Sequence, residues 1–85
     1  MVGAIKQQKM KLNTIFKESF NAQEAELKDE TRLMSFSDWD SMAHMFFITR
    51  IEEDFAIELS GDEIAGMQTV GDVKKILQSK GKEIE

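Results

Sequence analysis

The chain has 85 residues, of which 41% are hydrophobic and 32% charged, and carries a formal net charge of −5. That balance suits one small soluble domain over 1–85 and argues against disorder. No cysteine and only one histidine are present, which excludes disulfides, thiolate metal sites and multi-histidine metal sites.

No apolar run approaches the length that crosses a bilayer. The opening segment MVGAIKQQKMK lacks the apolar centre of a signal peptide, so a cytoplasmic protein without membrane insertion is expected. Charge is unevenly spread. Residues 1–30 balance five lysines with five acids, whereas residues 38–63 set Asp38, Asp40, Glu52, Glu53, Asp54, Glu58, Asp62 and Glu63 against Arg50 alone. Such a surface repels nucleic acid and anionic lipid and favours partners with basic patches. Repulsion among Glu52, Glu53 and Asp54 is expected to be relieved by divalent cations or salt.

Alternating β-branched runs are absent, so the expected class is all-α: a small four-helix bundle of three longer helices and one short one, with a long first loop. The first helix is expected over about 4–20, with Ile5, Leu12, Ile15, Phe16 and Phe20 near one face and Asn21 as the stop. In the polar connection that follows, Leu27, Leu33, Met34 and Phe36 are expected to pin the chain to the core, because a free loop of that length is unusual in a compact domain. The second helix starts near Asp40-Ser41 and ends near Phe55. An extended link, AIEL, leads to Ser60-Gly61-Asp62-Glu63, a capping-box pattern that opens a short helix. Thr69-Val70-Gly71-Asp72 opens the last helix, which carries Val70, Val73, Ile76 and Leu77 inward and stops near Gly81.

The second helix has two faces. At about 100° per residue, with Met42 at zero, His44, Phe47, Ile48, Ile51 and Phe55 fall between about 140° and 240° and form the core stripe. Met42, Met45, Phe46, Thr49, Glu52 and Glu53 fall opposite. Exposed Met and Phe beside acids suit a protein-docking surface. The competing arrangement folds the first loop over Met42, Met45 and Phe46.

Few residues offer chemistry. Asp38-x-Asp40 is no calcium loop, since Ala43 stands where glycine is required and Thr49 where a bidentate Glu is required. A Ser41–His44 dyad lacks an orienting third group. Ser41 is either a plain helix cap, shared among Ser37, Asp40 and Ser41, or a hydroxyl held accessible for modification at the positive end of a helix dipole.

From Asp40 to Asp72 the sequence resembles the acyl carrier protein family. The residues that carry the resemblance are Asp40-Ser41-Met42, Ile51-Glu52-Glu53-Asp54-Phe55, Ile57-Glu58-Leu59 and Thr69-Val70-Gly71-Asp72-Val73. The resemblance implies 4′-phosphopantetheine on Ser41, placed there by a phosphopantetheinyl transferase with Mg²⁺ supplied in that complex and Asp40 aiding recognition. It implies a non-enzymatic, monomeric carrier of acyl or aminoacyl thioesters. Its partners would be a ligase, transferase or synthase with a basic docking patch. Met42, Met45, Phe46, Glu52 and Glu53 would meet partners, while His44, Phe47, Ile48, Ile51 and Phe55 would line a cargo cavity. Ser37-Asp38-Trp39-Asp40-Ser41 departs from the family's L-G-x-D-S pattern, and Ala43 and Phe46 replace acids. DSMA is similar to D-alanyl carriers, which points to a specialised stand-alone carrier. The alternative from another class is a small helical interaction module without a prosthetic group.

Overall fold

The computed structural model describes residues 2–82, with side chains described from Gln8 onward. Helix α1 spans Val2–Phe20, α2 Ser41–Phe55, α3 Gly61–Ala65 and α4 Val70–Ser79. The expected all-α architecture of three longer helices and one short helix is therefore present. No strand is present among the described residues. Single 3₁₀ turns at Glu24–Glu26 and Leu33–Ser35 break up the first loop.

Helix ends follow local chemistry. Asn21 leaves α1 in the left-handed region at φ 54°, which asparagine tolerates. Ser60 and Glu63 complete a reciprocal capping box at α3, and Thr69 and Asp72 do the same at α4. Ala56 ends α2 at φ 54° and ψ 49°, a conformation that burdens a residue with a Cβ.

One continuous core joins the elements. Its centre is aromatic: Phe16 and Phe20 of α1 lie 4.8 and 5.2 Å, centroid to centroid, from Phe47 of α2. Phe36 of the loop stacks on Phe20 at 5.7 Å. Leu12, Ile15, Ile51, Val70, Val73 and Leu77 are buried around this centre, and Ile76 packs against the core partly buried. The side chain of Ile5 lies outside the described residues.

The long loop is pinned, but not by all four expected residues. Leu33 and Phe36 are buried and Leu27 packs against the core, whereas Met34 is 69% exposed. The 3₁₀ turn explains the difference. With three residues per turn, positions three apart align, so Leu33 and Phe36 face inward together and Met34 faces away. Backbone bonds do the rest. Val70 N–H donates to Thr31 O, Gly71 N–H to Asp29 O and Leu33 N–H to Gln68 O, each at 2.9 Å. The Lys74 ammonium meets Asp29 at 2.9 Å.

A Cβ on Gly71 would stand 2.9 Å from the carbonyl oxygen of Asp29, so the loop can approach α4 this closely only at a glycine. Gly71→Ala is expected to destabilise the fold by about 1–3 kcal/mol, the scale of forced overpacking, in urea denaturation. Gly66→Ala is the control. Its Cβ would come no nearer than 3.4 Å to a neighbour and φ is −79°, so stability should stay close to the parent. Equal losses in both variants would remove the assigned role of Gly71.

Candidate functional site

The site is the start of α2. Asp40 is the N-cap, and its carboxylate accepts the Ala43 N–H at 2.7 Å. The Asp40 carbonyl accepts from His44 N–H at 2.9 Å. Asp40 therefore supplies the capping that a serine at this position could otherwise have provided. Ser41, the first helical residue, is exposed, and its hydroxyl has no hydrogen-bond partner among the described residues. The result is an unencumbered hydroxyl at the positive end of a 15-residue helix, beside amide donors that the helix itself cannot use.

Trp39 and His44 flank Ser41. Trp39 Nε1–H donates to His44 Nδ1 at 3.3 Å, and the rings meet edge-on at 62°. A neutral imidazole has one acceptor nitrogen. Here that lone pair is committed to Trp39, which assigns the proton to Nε2. His44 thus has no lone pair left to act as a base toward Ser41, and the dyad fails on geometry. Burial lowers the His44 pKa below the ordinary 6.5.

His44 also borders a cleft of about 460 Å³ between the loop, α2 and α3. Leu33, Met34, Trp39, Ile64 and Met67 give it apolar walls, and Arg32 and Gln68 join His44 as its polar members. Of the five residues considered for a cargo cavity, His44 lines this cleft. Phe47, Ile48, Ile51 and Phe55 lie instead in the packed core.

On the opposite side of α2, Met42, Met45 and Phe46 are 82%, 56% and 46% exposed, so the loop does not cover them. Arg50 lies 5.8 Å from the Phe46 ring centroid. Glu53 is exposed. Glu52 is half-buried and accepts the Leu59 N–H at 2.9 Å, tethering the AIEL link. Asp54 pairs with Arg50 at 3.0 Å, and Arg50 also meets Glu18. Two of the three consecutive acids therefore already have partners, which leaves less repulsion for added cations to relieve. Among the described residues no acidic or histidine group is arranged to hold a metal ion. Sequence reasoning missed the Trp39–His44 pair, the Glu52 tether and Arg32. The first had a signal, an indole N–H five residues before the only histidine.

No protein-family model matches the chain. An acyl carrier protein of Lactobacillus acidophilus is 28% identical over 69 residues, covering 81% of this chain and 86% of that protein. This similarity supports a carrier-protein role in general terms. No described helix is long and apolar enough to cross a membrane.

Asp40→Ala is expected to cost about 1 kcal/mol, as loss of an N-cap does. Ser41→Ala should change stability by less than about 0.5 kcal/mol, because no bond is lost. Denaturation of both variants checks this, and a larger loss from Ser41→Ala would restore a structural role to the serine.

With the folded-state pKa of His44 depressed, the unfolded chain binds the extra proton. The stabilising contribution is therefore full above about 6.5 and is lost as pH falls from there through the folded-state value. Trp39 is the sole tryptophan and reports directly. Its emission should titrate with a midpoint below 6.5, and His44→Gln should abolish that inflection. A midpoint at or above the ordinary value would count against this assignment.

Proposed function

We propose that the chain is a carrier protein that bears 4′-phosphopantetheine on Ser41 and presents acyl or aminoacyl thioesters to partner enzymes. The observation that carries this reading is the exposed, unbonded Ser41 hydroxyl at the start of α2, with capping assigned to Asp40. A hydroxyl that is free of structural duty and open to solvent fits ester attachment without disturbing the helix. Similarity to an acyl carrier protein over most of the chain supports the same reading.

When attached, phosphopantetheine supplies a terminal thiol for thioester formation. The chain's own residues position rather than catalyse. Ser41 offers the acceptor oxygen. Asp40 fixes the first turn of α2 and presents a carboxylate for transferase recognition. Met42, Met45 and Phe46, with Glu53 nearby, offer an apolar face with an acidic neighbour to a basic patch on a ligase, transferase or synthase. Glu52 belongs less to that face, since its carboxylate is engaged with the linker. The carrier acts as a monomer in the cytoplasm and is not itself a catalyst. The departure at Ser37-Asp38-Trp39 and the exposed Phe46 favour dedicated partners over a housekeeping role.

Incubation with coenzyme A, Mg²⁺ and a broad-specificity phosphopantetheinyl transferase should add one phosphopantetheine mass, and Ser41→Ala should abolish the gain. A folded protein that no such transferase loads would overturn the reading. Met42→Glu and Phe46→Glu should slow loading or partner turnover by roughly fivefold or more, the scale of an interface anchor, with unchanged melting temperatures. Parent-like rates in both variants would remove the docking face.

A further inference from the structure

We propose that the cleft beside Ser41 selects cargo whose far end carries a carboxylate, the half-thioester of a dicarboxylic acid rather than a plain alkyl chain. This inference rests on the carrier reading for how cargo reaches the cleft, but its chemistry is read from the cleft itself.

The first observation is placement. Trp39 and His44 border the cleft and flank Ser41 in the chain, and residues three apart on a helix lie about 5–6 Å apart at Cβ. An arm on Ser41 therefore leaves the surface at the cleft's edge. The second is size. A volume of about 460 Å³ lies within the roughly 300–1,000 Å³ of small-molecule sites.

The third observation is charge. Arg32 and Gln68 join the cleft wall, and no carboxylate is among the residues that line it. The chain holds only two arginines. Arg50 is paired with Glu18 and Asp54, whereas Arg32 has no ion-pair partner among the described residues. Its backbone bridges to Thr69, which fixes the residue beside the cleft while the side chain stays exposed. A guanidinium presents a planar fork suited to a carboxylate, and the Gln68 amide adds further donor capacity. Leu33, Met34, Ile64 and Met67 suit a short methylene spacer between thioester and carboxylate. An alkyl terminus would offer the guanidinium no anionic partner.

The test uses the intact chain and Trp39 emission. Succinyl-pantetheine and butyryl-pantetheine are titrated separately onto the unmodified protein. In parallel, the succinyl and butyryl arms are loaded onto Ser41 by the transferase from their coenzyme A thioesters. Tighter binding of succinyl-pantetheine is expected, with Arg32→Gln weakening it roughly three- to tenfold and leaving butyryl binding unchanged. Slower hydrolysis of the loaded succinyl thioester in the parent than in Arg32→Gln is also expected.

Equal binding of the two thioesters, or an Arg32→Gln variant that binds succinyl-pantetheine as the parent does, overturns the proposal even if loading succeeds. Selective, Arg32-dependent binding with no loading sustains the cleft's selectivity and overturns the carrier reading instead.

Discussion

The amide donors at the start of α4 hold the rest of the molecule in register. A helix begins with N–H groups that it cannot satisfy itself. Here the loop satisfies two of them, through the Thr31 and Asp29 carbonyls, and the Thr69 hydroxyl satisfies a third. The loop is thereby drawn down onto α4, the Arg32–Thr69 bridge forms, and Leu33 and Phe36 reach the core. Phe36 then closes the aromatic cluster between α1 and α2. Four residues later the chain arrives at Asp40. The position of the candidate attachment serine thus depends on a helix end some thirty residues away. Gly71 is the point where the two backbones come close enough for this to work.

Much of this was legible in the sequence, and what was not has identifiable causes. Caps are local: Ser60 with Glu63 and Thr69 with Asp72 announce helix starts because donor and acceptor lie three residues apart. The register of α2 was legible because its core stripe repeats at helical spacing, and Phe47, Ile48, Ile51 and Phe55 are all buried. The loop was only partly legible. Leu33, Met34 and Phe36 look alike as apolar residues, and only the 3₁₀ turn separates them. Glu52 looked like a free surface acid because nothing in the sequence ties it to the amide of Leu59. Ala56 gives no hint of a left-handed helix end, since alanine has no preference for that conformation.

The candidate site divides labour between adjacent residues. A serine at a helix start is ordinarily a cap, and Ser41 could not be told from one by sequence chemistry alone. Once Asp40 is seen to bond the Ala43 amide, Ser41 has no structural task left. The same logic applies to His44. Its position three residues after a serine invites a catalytic reading, yet its only lone pair faces the Trp39 indole. The pair instead builds a wall beside the site, and burial lowers the His44 pKa there, favouring the neutral imidazole.

The angular position of Ser41 on α2 connects these features. On the scale that places Met42 at zero, Ser41 falls at about 260°. That is the seam between the core-facing arc, which ends at about 240° with Ile48, and the solvent-facing arc that runs through Met45 to Phe46. A group attached there sits between two apolar regions of different kinds. On one side lies a recessed cleft with Arg32 on its wall and no acid. On the other lies an exposed Met and Phe face with Arg50 over the Phe46 ring and Glu53 further along the helix. The two regions differ in shape: the first is recessed and the second lies open, so on the proposed reading the first would take a small group and the second a protein surface. On the proposed carrier reading, their separation across a single helix would let cargo and partner be recognised independently, with Ser41 at the seam between them.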